Sequence, residues 1–158
     1  MSSKTLTRST ADYEADFYAW TQDQAEKLRA RRHNEIDWEN LAEEIESVGR
    51  SDRRSIRSNL YVILLHLLKW QYQSENRKGG WAASISEHRD RMRRIIEDSP
   101  SLASVPGEAI EHEYAAARRR ACMETGMPID RFPEHCPYSV SEVLDEAYPV
   151  DLHSDPSL

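Results

Sequence analysis

Three titratable side chains, Glu44, His66 and His88, fall on or beside the apolar faces of three helical segments of this 158-residue sequence. Imidazole and carboxylate groups bind divalent metals and exchange protons, and helical bundles build such sites between facing helices. If the three side chains meet, the chemistry expected is metal-assisted and hydrolytic. The pattern lacks the pairing that such sites use, a Glu and a His three or four residues apart on one inward face. The nearest match, Glu108 and His112, points away from the Ile110 and Tyr114 side of its helix. The leading expectation is therefore a buried polar network in which each histidine is hydrogen-bonded and fixes helix register, with no cofactor.

Arg50, Arg53, Arg54 and Arg57 recur at helical spacing and form a basic band beside an apolar stripe. Such a band contacts phosphates, so weak nucleic-acid binding is a third functional class. The alternative is a solvated face that pairs with neighbouring acids, as mixed charge patterns commonly do. Glu46 and Arg50 would make one such pair if the helices on either side of Gly49 are continuous. Cys122 and Cys136 lack a Cys-x-x-Cys spacing, which makes a zinc site unexpected, and His135 lies too close in sequence to Cys136 to serve readily as its base. Gly79-Gly80 has neither the flanking strand nor the Lys-Ser/Thr partner of a phosphate-binding loop.

The elements that must position these groups are helices. Tyr13, Phe17, Trp20, Gln24 and Leu28 step by three and four, which predicts a helix over residues 11–31. Asp37 suits the N-cap of a second helix whose stripe is Trp38, Leu41, Ile45 and Val48. With that stripe inward, Glu43 points directly away and Glu44 lies at its border, the one acid of the run expected near the core. Gly49 either ends this helix or lies within a longer one.

Residues 51–73 form the central helix, with Ile56, Leu60, Ile63, Leu64 and Leu67 as its stripe and apolar residues almost all round between Tyr61 and Leu68. A polar loop over 74–80 follows, then a fourth helix marked by Trp81, Ile85, His88, Met92, Ile95 and Ile96 that stops at Ser99-Pro100. A fifth helix runs from near Pro106 to Gly126 with Ile110, Tyr114, Ala117 and Ala121 on one face. The proline-rich stretch 127–138 is expected to lie over the core through Phe132 and Tyr138. Ser139-Val140-Ser141-Glu142 reads as a capping box for a short last helix. The fold class is all-α: one domain over residues 11–149, about five main helices plus a short one, with flexible ends at 1–10 and 150–158.

Five ordered motifs, Asp16-Phe17-Tyr18-Ala19-Trp20, Leu41-Ala42-Glu43-Glu44-Ile45-Glu46, His66-Leu67-Leu68-Lys69-Trp70, Asp98-Ser99-Pro100-Ser101-Leu102 and the stretch from Phe132 to Tyr138, carry a resemblance. In them the sequence resembles the bacterial family catalogued as domain of unknown function 29, from about Ala11 to Pro149. Gly80 stands where that pattern has a serine. The resemblance implies a small bacterial all-helical protein and supplies no activity, cofactor or catalytic residue.

The chain carries 28 acidic and 21 basic side chains, a net charge of −7. Residues 124–158 hold eight acids and one base, so the whole imbalance lies there and suggests a distinct acidic surface. No apolar run is long enough to cross a bilayer and the first residues lack a secretory hydrophobic block, which makes a cytoplasmic protein the expectation. Four tryptophans and seven tyrosines are more than a bundle of this size needs inside. An aromatic edge left exposed would serve a protein partner or a second copy of the chain, since Trp and Tyr favour interfaces. Protein binding is thus the leading functional expectation, ahead of the metal-assisted enzyme.

Overall fold

The computed structural model describes residues 12–152. The order is α1 (Phe17–Arg29), α2 (Trp38–Tyr72), α3 (Gly79–Asp98), α4 (Val105–Thr125) and α5 (Val140–Leu144), joined by short 3₁₀ turns. No strand occurs among the described residues, and the fold is all-α. The chain divides into two compact units, residues 1–50 and 51–158, and α2 contributes to both.

α2 is a single helix of 35 residues, about 52 Å at 1.5 Å per residue. The second and third helices of the sequence reading are therefore one, and Gly49 lies in its interior. A Cβ at Gly49 would meet nothing within 4 Å, so nothing there requires glycine or breaks the helix.

In the second unit the central stripe is buried as expected. Ile56, Leu60, Ile63, Leu64, Leu67 and Leu68 are all sealed from solvent. Ile85 and Met92 of α3, together with Tyr114, Ala117 and Ala121 of α4, join the same core. Three ion pairs tie α2 to α4: Arg53 with Glu108, Arg57 with Glu113, and Lys69 with Glu124. Their partners are 55 or 56 residues apart each time, so the two helices run parallel in one register.

α3 begins at Gly79, two residues before the expected start at Trp81, after a 3₁₀ turn over Ser74–Asn76. α4 ends at Gly126, whose φ of 69° places it in the left-handed region, and its N–H closes the helix by donating to the Cys122 carbonyl. Phe132 and Tyr138 anchor the proline-rich stretch in the core, and Ser139 with Glu142 forms the capping box of α5.

The expected flexible end at 1–10 lies outside the described residues. Near the other end, Trp70 Nε1 donates to Asp151 at 3.1 Å, Arg77 pairs with the same carboxylate, and Leu152 is buried, while residues 153–158 lie outside the described residues.

In the first unit the helix starts later than residue 11. Asp16 caps it by accepting from the Ala19 N–H at 2.9 Å, and Tyr13 precedes it. Asp37 caps α2 as expected, accepting from the Asn40 N–H at 3.3 Å.

Gly49 and Gly126, both exposed, separate backbone effects cleanly. Gly126→Ala should destabilise the fold by about 1 kcal/mol because an L side chain is strained at that φ, whereas Gly49→Ala should stabilise it by about 0.5–1 kcal/mol. Chemical denaturation of both variants checks the opposite signs.

Candidate functional site

Residues 12–50 reverse the usual relation between polarity and burial. α1 turns Trp20, Gln24 and Lys27 inward, and the large apolar side chains sealed in this unit are Trp20 and Ile36. Polar bonds hold the helices. Trp20 Nε1 and Asn40 Nδ2 donate to one oxygen of Asp37, at 3.2 and 2.8 Å, and the Asp37 N–H donates to Gln24 Oε1 at 2.8 Å. The Asn40 amide is the main reason that the Asp37 carboxyl titrates below its ordinary value. Lys27 is buried against Asp23 at 2.6 Å. These groups line an open cleft of about 810 Å³. Each of them already has a partner within the unit, so their evident task is to seat α1 on the first turns of α2.

The expected inner stripe of α2 is the outer one. Trp38 is 54% exposed and Ile45 and Val48 are each 66% exposed, while Asp37, Asn40, Leu41, Glu44 and Ser47 are partly covered. The reason is the Asp37 bond set, which turns the polar side of the helix toward α1. Phe17 and Leu28 of α1, expected on its buried face, are also exposed. Eighteen residues make five helical turns, so Trp38 lies in line with Ile56, and Ile45 with Ile63. One stripe thus continues along α2, buried in its second half and open to solvent in its first.

Of the sequence-predicted chemical residues, Glu44 accepts from the Tyr13 hydroxyl at 2.5 Å, and this bond pushes the Tyr13 pKa up to about 12. His66 and His88 belong to the second unit. His66 Nδ1–H donates to the Val62 carbonyl at 2.8 Å, which leaves Nε2 as the free acceptor. His88 is half-buried rather than central to the stripe, and its Nδ1 has no partner. The two rings are near enough that His66 disfavours charge on His88. No group of three His, Cys, Asp or Glu side chains among the described residues is arranged to hold a metal ion.

The arginine band is largely taken up by carboxylates. Arg50 pairs with Glu43 and Glu46, Arg53 with Glu108 and Arg57 with Glu113, while Arg54 is exposed. Glu108 and His112 likewise serve Arg53 and Arg57. Both cysteines are free thiols, and burial pushes the Cys136 thiol up, away from a reactive thiolate.

Sequence reasoning missed Arg89, which is 1% exposed. Its Nε donates to the Val143 carbonyl at 2.7 Å and Nη2 to that of Glu142 at 3.1 Å, so it fastens α5 to α3. Its remaining nitrogen has no partner beside a small apolar cleft formed with Ile96 and Leu144. The signal was an arginine one position past His88, but its acceptors are remote in sequence.

The described residues thus form an all-α fold with an exposed apolar stripe on the first half of α2. The family model described as Domain of unknown function DUF29 matches residues 13–149, and the chain belongs to that family. Comparison with curated proteins and with solved structures returns no match. No helix among the described residues is long and apolar enough to cross a membrane.

Burial lowers the pKa of His66 and of His88 below the ordinary 6.5, with Lys69 acting in the same direction on the first and Arg91 on the second. The Val62 carbonyl and Glu124 oppose it at His66, and Glu87 at His88. The unfolded chain therefore takes up these protons more readily. The stability carried by the neutral rings is complete above pH 6.5 and is lost as pH falls through the lowered folded values. Carboxylates such as Glu124, whose ordinary value is 4.5, contribute mainly at lower pH. Melting temperature should fall between about pH 7 and pH 5, and His66→Gln with His88→Gln should flatten that fall. An unchanged slope in the double variant would refute the assignment.

Proposed function

We propose that this protein is a protein-binding module and that it binds through the open face of its first unit. The observation that supports the reading is where most of the large exposed apolar side chains lie: Phe17, Tyr18, Leu28, Trp38, Ile45 and Val48 belong to residues 12–50, against Met123, Ile129 and Val150 scattered over the rest. Contiguous exposed apolar surface is the physical mark of an interaction site, and aromatic residues are the usual anchors. A helix presents these groups at fixed spacing, so little conformational entropy is lost when a partner seats on them.

The metal-assisted reading has weaker support, because Glu44 is held by Tyr13 and the histidine pair belongs to the other unit. Nucleic-acid binding would have to break the Arg53–Glu108 and Arg57–Glu113 pairs to free the band.

The test compares full-length wild type with a Trp38→Ala, Ile45→Lys, Val48→Lys variant as bait in extracts of the native host, read by mass spectrometry. All three positions are exposed, so the variant should keep the wild-type helical circular dichroism. Proteins bound by the wild type, its own chain included, should be lost with the variant. Identical captured sets would overturn the reading.

A further inference from the structure

We infer that the open face of α2 pairs with the same face of a second copy of the chain, the two helices running antiparallel. The inference rests on the binding reading above and names its partner. The charges beside the stripe point to what covers it.

At 100° per residue, Glu39, Glu43, Glu46, Arg50, Arg53 and Arg54 all fall on one flank of α2, next to the Trp38 and Ile45 face. Along that flank every acid precedes every base. A parallel copy related by a two-fold axis would set this flank against the opposite flank of its partner, where Asn40, Glu44 and Ser47 offer the acids no base. An antiparallel copy related by a two-fold axis brings the same flank of each helix together with its order reversed, so the acids of one meet the arginines of the other. Such self-complementarity is the requirement of an isologous interface.

The side chains concerned are free to exchange partners. Arg50, Glu43 and Glu46 are each more than half exposed, and Arg50 already reaches Glu43 at 2.9 Å and Glu46 at 3.3 Å within the chain. Exposed pairs of this kind hold weakly, so handing Arg50 to the Glu43 and Glu46 of a neighbour costs little. The apolar stripe supplies affinity, and the flank sets orientation.

Light scattering and sedimentation on the full chain test this. The wild type should have the mass of two chains at about 100 μM, and either Ile45→Lys or Val48→Lys should raise the dissociation constant at least about tenfold without changing helical content. Glu43→Arg with Glu46→Arg, and separately Arg50→Glu with Arg54→Glu, should each weaken self-association, and mixing the two variants should restore a two-chain species. Orientation is read with Trp38→Cys, which forms an intermolecular disulfide readily in a parallel pair and slowly in an antiparallel one. Rapid cross-linking at position 38 would overturn the antiparallel arrangement. A dimer indifferent to both lysine substitutions would overturn this face as its interface. A wild type that stays monomeric overturns the second copy as partner; the binding reading then survives only if the Trp38, Ile45 and Val48 variant loses its captured proteins.

Discussion

Between Ile56 and Trp70, α2 turns apolar side chains to nearly every side, and Ile56, Leu60, Ile63, Leu64, Leu65, Leu67, Leu68 and Trp70 are all buried. Each such side chain left in water would forgo about 1.5–3 kcal/mol, so this segment cannot stand as a surface helix. It needs cover all round, which α3 and α4 provide only in part. The remaining cover comes from the chain after α4, where prolines prevent a long helix and single side chains do the work. Phe132 and Tyr138 enter the core, and the polar tips are satisfied: the Tyr138 hydroxyl donates to Gln71 Oε1 at 2.9 Å and the Tyr114 hydroxyl to the Pro133 carbonyl at 2.6 Å. Burial raises the pKa of both tyrosines, so each remains a donor. The tail is thus a structural layer, required by the composition of the helix beneath it.

Hydrophobic cover alone does not fix how helices slide along one another. On α2 and α4 the register is set by charge: Arg53, Arg57 and Lys69 meet Glu108, Glu113 and Glu124 at an almost constant sequence offset. A shift by one turn would leave the partly buried Glu113 and Lys69 without partners, and a buried unpaired charge costs far more than an exposed pair gains. Ala117 and Ala121, both fully buried, let the backbones approach in that register. The acidic excess after residue 124 takes part in the same scheme. Glu124 pairs with Lys69 and Arg120, Glu146 with Arg93 and Asp151 with Arg77, so several of these acids are fasteners for α2 and α3 rather than a separate acidic surface.

Helical period was readable from the residues because it depends on local spacing, and so were the caps at Asp37 and Ser139, whose signals lie within a few positions. The central stripe, the Gly126 stop and the Phe132 and Tyr138 anchors could be read for the same reason: each is apolar or conformationally special in its own right. What spacing cannot supply is coverage. Trp38, Ile45 and Val48 make as regular a stripe as Ile56, Leu60 and Ile63, yet only the latter is buried in a core. Arg89 shows the complementary limit. Arginine is seldom sealed inside a fold, and its acceptors at Glu142 and Val143 lie more than fifty residues away. His88, the more conspicuous candidate, is the less buried of the two.

The first unit shows how a polar residue can decide where an apolar face goes. Asp37 caps α2 by accepting from Asn40 and at the same time bonds to Trp20 and Gln24 of α1, and these last two bonds are made only when the Asp37 side of the helix turns inward. Rotating the helix to hide Trp38, Ile45 and Val48 would break both bonds to α1 and leave the buried Trp20 and Gln24 side chains without these partners, at about 1–3 kcal/mol each. With the Asp37 side turned to α1, the apolar stripe stays outside. Because the same helix continues into the core of the second unit, the exposed stripe is presented on a backbone whose far end is locked by packing. Its spacing is thereby fixed, and groups held at fixed spacing lose little conformational entropy when anything packs on them.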